Sequence, residues 1–267
     1  MRKLERLSVA LLWCVLAWGG IAFAQSGERL TDKDVKALLE SVDNARDRFE
    51  DQLDGKLKSQ VLRGPNGEVD VSRFLDDLQE NTGRLKERFT PEYAASAEVA
   101  AVLRQGTAVA AFMKQHPGIK GASEWDRMAA DLGRLAGVYG TRFPLEGDAP
   151  VRRVNDREAA SAATTIAEHA DRFKNAVNRE ATLAKPAKDA LKGQADVVKN
   201  AANALKSRLK DSKPSTSEAR QLFEAVRAMR ESAKGVSPAS LALLGQMQSP
   251  LATLNQAFGV STASPGT

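Results

Sequence analysis

The sequence predicts an all-α protein built from two tandem repeats, each resembling a four-helix bundle. Apolar residues recur at helical spacing in four segments of each half, and turn residues separate these segments. The halves also match at a constant offset of 119 residues, which pairs Met128, Leu132, Leu135, Tyr139 and Gly140 with Met247, Leu251, Leu254, Phe258 and Gly259. Shorter matches at offsets of 120 and 124 pair Leu85–Phe89 with Leu205–Leu209 and Asp47–Phe49 with Asp171–Phe173. We interpret this pattern as the duplication of a helical unit of about 120 residues.

The first 24 residues have the organisation of a secretory signal peptide. Basic residues stand at the start, an apolar run covers Val9–Trp18, and small residues end the segment at Ala24. We expect cleavage after Ala24 and a periplasmic or secreted location; a retained signal anchor is the alternative. Cys14 follows the bulky Trp13, which argues against a lipoprotein signal. Because Cys14 is the only cysteine, the processed chain would have no disulfide, no thiolate nucleophile and no cysteine-ligated metal.

The first repeat is assigned to residues 25–140. Thr31 is expected to cap its first helix, because carboxylates follow in the first turn and an apolar stripe begins at Val35. Proline and glycine residues mark the ends of the helices. The first predicted helix runs from Thr31 to a turn at 64–67, and the second covers an apolar stripe at 71–89 and ends near Thr90-Pro91. The third runs from about Tyr93 to Gln115, and the fourth runs from the N-cap Ser123 to Gly140.

Residues 141–155 form a predicted linker, and residues 156–260 are assigned to the second repeat, followed by a disordered tail at 261–267. The predicted helices of the second repeat begin at the cap Asp156, at Pro186, at Ser217 and near Ser237-Pro238. The last of them is expected to bend or break at Pro250, which lacks a backbone donor. The alternative to two bundles is a single continuous domain in which the halves share one core.

Charge is unevenly distributed along the chain, whose net charge is +5. Residues 25–150 carry 18 basic and 22 acidic groups, whereas residues 151–267 carry 18 basic and 11 acidic groups. Eight cations in the second half are candidates for contact with an anionic envelope surface: Lys185, Lys188, Lys192, Lys199, Lys206, Arg208, Lys210 and Lys213. An ordinary solvated face is the alternative. We predict no nucleic-acid binding, because export is expected and aromatic residues that could stack on bases are missing among these cations.

No motif in the sequence predicts a catalytic, cofactor-binding or metal-binding site. C-x-x-C-H, Glu-x-x-His, H-E-x-x-H and G-x-S-x-G are absent, which argues against c-type haem, di-metal carboxylate centres, zinc proteases and serine hydrolases. His116 lies in a predicted turn and His169 lies beside an apolar stripe, so both are poor haem ligands. Asp43 and Glu50 flank Arg46 at helical spacing and are interpreted as its ion-pair partners.

These observations predict an exported, non-enzymatic helical protein that acts through interactions or as a scaffold. Its partner is expected to be a protein or an envelope component, with peripheral contact to an anionic surface. A periplasmic binding module that holds a small apolar ligand between its helices is the alternative. An enzyme is the third hypothesis, for which the sequence offers no residues.

Overall fold

The computed structural model describes residues 28–64, 67–116 and 118–259. Within these ranges the protein is predominantly helical, as the sequence predicts. The predicted signal peptide and the predicted C-terminal tail lie outside the described residues. Among the described helices, none combines the length and the apolar character needed to cross a membrane.

The first half contains helices and one β-hairpin. Its elements are α1 (Asp32–Gln52), α2 (Gly55–Lys58), β1 (Val61–Gly64), β2 (Gly67–Asp70), α3 (Val71–Arg88), α4 (Ser96–Gln115) and α5 (Ala122–Val138). Helix α1 packs against α3 and α5, and α4 contacts the same two helices. The apolar stripes of these helices are buried together in one cluster, which includes Val35 at its start and Leu145 at its end.

The second half contains α6 (Asp156–Arg179), α7 (Lys185–Lys210), α8 (Thr216–Ser232), α9 (Pro238–Gln246) and α10 (Gln248–Phe258). Helix α6 packs against α7, α9 and α10, and α8 packs against α7 and α10. Their buried apolar side chains form a second cluster, from Val154 to Phe258. The buried apolar residues of the described chain are therefore grouped by halves.

The first helix of each half is capped by the residue that precedes it. Thr31 caps α1 as predicted: its hydroxyl accepts a hydrogen bond from the amide of Asp34 at 3.2 Å, and the Asp34 carboxylate accepts one from the Thr31 amide at 3.0 Å. The prediction that Asp156 caps α6 is wrong. Asn155 occupies that position and accepts a hydrogen bond from the amide of Glu158 at 2.7 Å. Asp156 is the first residue of α6, and its carboxylate binds the first half instead.

Two other predicted boundaries are also wrong. Helix α5 begins after Gly121 rather than at the cap Ser123, and the φ angle of +94° at Gly121 is one that glycine adopts readily. The break in the last helix lies at Met247, between α9 and α10, rather than at Pro250. Pro250 is the third residue of α10, where a backbone amide has no partner within the helix, so the proline needs no break there.

The hairpin differs from the sequence prediction, which extends the first helix to the turn at 64–67. Helix α1 ends at Gln52, and Asp54 then caps the single-turn α2 by accepting a hydrogen bond from the Lys56 amide at 2.8 Å. Strands β1 and β2 pair antiparallel on either side of the predicted turn, with Val61 opposite Asp70. Val61 is 57% exposed, so its burial does not explain the hairpin.

Candidate functional site

Two arginines and two aspartates form a buried ionic cluster where the two halves meet. We call Arg29, Asp32, Arg153 and Asp156 the ionic junction. The Arg29 guanidinium binds the Asp156 carboxylate, and the Arg153 guanidinium binds the Asp32 carboxylate at 2.7 Å. The backbone amide of Asp32 donates to the Asp156 carboxylate at 2.8 Å, and the amide of Asp156 donates to the Asp32 carboxylate at 2.9 Å. Each half therefore supplies a cation and an anion to the other.

The junction places each aspartate at the N-terminus of a helix in the opposite half. Asp32 is the first residue of α1, and Asp156 is the first residue of α6. The Asp32 carboxylate accepts a hydrogen bond from the first amide of α6, and the Asp156 carboxylate accepts one from the first amide of α1. Each carboxylate therefore lies at the positive end of the helix that begins with the other aspartate. All four carboxylate oxygens accept a hydrogen bond. Buried carboxylates require such pairing, because unpaired charges lose their hydration without compensation. The Nε atoms of Arg29 and Arg153 are buried without a hydrogen-bond partner among the described residues.

Contacts to carbonyl groups extend the same reciprocal pattern. The Arg29 guanidinium donates to the carbonyl of Val154 at 2.8 Å, and the Arg153 guanidinium donates to the carbonyl of Leu30 at 3.0 Å. In the sequence, Arg29-Leu30-Thr31-Asp32 aligns with Arg153-Val154-Asn155-Asp156 at an offset of 124. This is also the offset of the match between Asp47–Phe49 and Asp171–Phe173. None of the four junction residues is a candidate site residue in the sequence prediction, although this alignment points to them.

The segment before α1 is held against the second half. The Glu28 carboxylate accepts hydrogen bonds from the amides of Ser215 and Thr216, at 2.6 and 2.8 Å, at the start of α8. The Arg29 guanidinium also lies over the Phe258 ring, 5.3 Å from its centroid. Burial lowers the pKa of Arg29, and the charge of Arg153 lowers it further, whereas Asp156 opposes the shift. Arginine remains cationic at such a site.

An open groove of about 490 Å³ lies beside the junction. We call it the junction groove. Asp32 and Asp156 reach it from the junction, and Pro91 reaches it from the first half. Its other polar lining consists of three cations and three hydroxyl groups, from Arg157, Lys206, Lys210, Ser161, Thr164 and Ser212. Helix α6 supplies one wall and the C-terminal end of α7 the other. The sequence analysis identified the two lysines as candidates but missed the contribution of α6.

The eight cations selected from the sequence lie on α7 and in the turn that follows it. Four of them have a carboxylate within 4 Å: Lys192 pairs with Asp189, Lys199 with Asp171, Arg208 with Glu218, and Lys213 with Asp211. Among the described residues, no carboxylate lies within that distance of Lys185, Lys188, Lys206 or Lys210. Lys206 and Lys210 line the junction groove, whereas Lys185 and Lys188 lie at the opposite end of α7.

His116, His169 and Arg46 are the other side chains with potential chemistry, and the buried Nδ1 atom of His169 and Nε atom of Arg46 have no hydrogen-bond partner among the described residues. His116 packs on the Phe112 ring at a centroid distance of 4.5 Å, and His169 is half-buried on α6. Arg46 pairs with Asp43 at 3.0 Å and with Glu50 at 3.6 Å, as predicted. In the described part of the chain, no group of three or more histidine, cysteine, aspartate or glutamate side chains is placed to hold a metal ion.

No family model matches the chain, and neither a characterised protein nor a solved structure was found to be similar to it.

Proposed function

We propose that this chain is an exported, non-enzymatic helical scaffold that presents helix faces to a protein or envelope partner. It would consist of two tandem four-helix units, at residues 25–140 and 156–260, joined by a linker at 141–155. The ionic junction carries this proposal, because reciprocal buried ion pairs favour one orientation of the two units. A scaffold needs such a fixed orientation if both units are to contact one partner.

Matching positions in the two halves support the duplication. Met128 and Met247 are both fully buried, so each fills a position in the core of its half. Gly140 and Gly259 follow the matching helices α5 and α10, and both have left-handed backbones with φ angles of +69° and +62°. Glycine at the C-terminal end of a helix commonly adopts this conformation. Two units of common origin would place the same residues at the same turns.

Peripheral contact with an anionic envelope surface belongs to the same proposal. Its support is that four cations on α7, Lys185, Lys188, Lys206 and Lys210, form no ion pair within 4 Å among the described residues. Lys185 and Lys188 interact with Asp189 and Glu180 only beyond that distance. Contact of this kind weakens as salt concentration rises, since ions screen exposed charges over about 10 Å at 0.1 M.

The proposal is tested by expressing the full chain in a bacterial host, fractionating the cells and analysing the envelope fraction by native mass spectrometry. We expect a processed chain that begins at Gln25 and a defined complex with a protein or envelope component. A variant that removes all four junction charges, Arg29→Met, Asp32→Ala, Arg153→Met and Asp156→Ala, leaves no buried charge unpaired and is expected to lose the complex while circular dichroism shows that its helices remain. An unprocessed chain in the cytosol would refute export. A complex of unchanged stability in the variant would refute the need for a fixed orientation.

A further inference from the structure

The C-terminal end of α7 presents two lysines without carboxylate partners to the junction groove. Lys206 and Lys210 are four residues apart, so they lie one above the other on the same face of the helix. Two like charges at this spacing repel each other. Elsewhere on α7, Lys192 and Lys199 are each paired with an aspartate, at 2.9 and 2.8 Å. The unpaired lysines are thus placed where an external anion would stabilise them.

The opposite wall of the groove adds a third cation and two hydroxyl groups. Arg157, Ser161 and Thr164 are spaced by four and three residues, which places them on one face of α6. Arg157 contacts Glu92, but both side chains are more than 60% exposed, and such surface pairs contribute little. The guanidinium can therefore exchange this partner for a ligand. The Thr164 hydroxyl donates to the Ala160 carbonyl at 2.9 Å, so its oxygen can still accept a hydrogen bond.

The negative groups near the groove are already satisfied. Both junction aspartates have every carboxylate oxygen occupied and are paired with Arg29 and Arg153. At the end of α7, three carbonyl groups accept hydrogen bonds from the turn that follows, which reduces the negative end of the helix dipole facing the groove. These bonds run from Asp211 to Ser207, from Ser212 to Leu209 and from Lys213 to Arg208. The groove therefore carries a surplus of positive charge.

We propose that the junction groove binds a phosphate-bearing polyol of the glycerol phosphate type, either free or as a lipid headgroup. Lys206, Lys210 and Arg157 would bind the phosphate, because cations at such spacing can share its oxygens. Three hydroxyl groups, two of them on α6 and one on Ser212, would bind the polyol. A volume of about 490 Å³ exceeds what a bare phosphate fills and lies in the range of small-molecule sites. In its lipid-headgroup form the site rests on the peripheral anionic contact proposed above, whereas binding of the free ester does not.

Isothermal titration calorimetry of the whole protein with sn-glycerol 3-phosphate at low salt tests the site. The double variant Lys206→Gln with Lys210→Gln is expected to weaken binding at least tenfold, because each lysine would make a charge-assisted hydrogen bond. The matched control is Lys185→Gln with Lys188→Gln, which removes the same charge from the other end of α7 and is expected to change affinity less than twofold. Equal weakening in both double variants would overturn the proposal, since it would indicate non-specific attraction.

Two further measurements identify the source of the phosphate and the role of the polyol. Flotation with phosphatidylglycerol vesicles, compared with phosphatidylcholine vesicles, tests the lipid headgroup. Binding of glycerol 3-phosphate or of phosphatidylglycerol vesicles supports the proposal if it requires Lys206 and Lys210, and the probe that binds identifies the source of the phosphate. Thr164→Val removes one hydroxyl and is expected to weaken glycerol 3-phosphate about threefold while leaving inorganic phosphate unchanged. If neither probe binds at millimolar concentration, or if inorganic phosphate binds as tightly as the ester, the proposal is wrong.

Discussion

Removing Asp156 from the ionic junction is expected to destabilise the fold strongly. Asp156→Ala deletes the acceptor of two hydrogen bonds, one from the Arg29 guanidinium and one from the Asp32 amide. A hydrogen bond to a charged group contributes about 1.5 to 3 kcal/mol, so two such bonds contribute about 3 to 6 kcal/mol, and the free energy of unfolding should fall by about 3 to 5 kcal/mol, the range for removing one partner of a buried ion pair. Removing one partner of a buried ion pair has such a cost because the remaining charge, here that of Arg29, stays buried without compensation. The Arg29 side chain is only 6% exposed, so it meets this condition.

A double-mutant cycle separates the pair from the effects of each single change. Arg29→Met, Asp156→Ala and the double variant should give a coupling energy of at least about 1.5 kcal/mol in urea unfolding followed by circular dichroism. The exposed pair of Arg157 and Glu92 is the matched control. Arg157 is the neighbour of Asp156, and its pair joins the same two halves with side chains that are 67% and 61% exposed. Its coupling should stay below about 0.5 kcal/mol. Equal coupling energies in the two cycles would refute the conclusion that burial gives the junction its strength.

Two other substitutions test local packing and charge. Gly106→Ala should destabilise the fold by about 1 to 3 kcal/mol, because the new Cβ would lie 2.6 Å from the Cδ1 atom of the buried Leu132. Gly193→Ala meets nothing within 4 Å and should stabilise α7 by about 0.5 to 1 kcal/mol. Thermal unfolding of both variants checks these opposite shifts, and a shift of the same sign in both would indicate a uniform effect of replacing glycine. Partial burial raises the pKa of Asp43, but hydrogen bonds from Lys86 and Arg46 outweigh it, so the folded-state pKa is lowered. The stability that Asp43 contributes is therefore complete above its unfolded pKa of about 3.9 and is lost as the pH falls through the lower folded value. Lys86→Met should therefore reduce the fall in the free energy of unfolding below about pH 4, measured by urea unfolding at a series of pH values. An unchanged slope would contradict the conclusion that Lys86 lowers the pKa of Asp43.

The sequence contains the information for individual helices more clearly than for contacts between them. Thr31 and the apolar stripe that follows it predict the start of α1 correctly, because a cap and a stripe are local features. The hairpin could not be predicted in this way, since its valines Val61 and Val69 are exposed and give no buried apolar stripe. The junction was missed for another reason. Its arginines lie in segments without helical periodicity, and arginine is rarely buried unless a partner from elsewhere in the chain compensates its charge.

The junction favours an orientation more than it adds stability. Buried ion pairs often contribute little net free energy, because desolvation offsets their attraction, but any rearrangement that separates the charges is costly. The apolar side chains are buried in one cluster for each half, so packing leaves the angle between the halves to other contacts. We infer that Arg29, Asp32, Arg153 and Asp156 set that angle. Spin labels at one exposed position in each half should therefore give a narrow distance distribution, which broadens when all four charges are removed together by Arg29→Met, Asp32→Ala, Arg153→Met and Asp156→Ala, a change that leaves no buried charge unpaired. An equally narrow distribution in that variant would mean that the linker or the groove contacts set the angle instead.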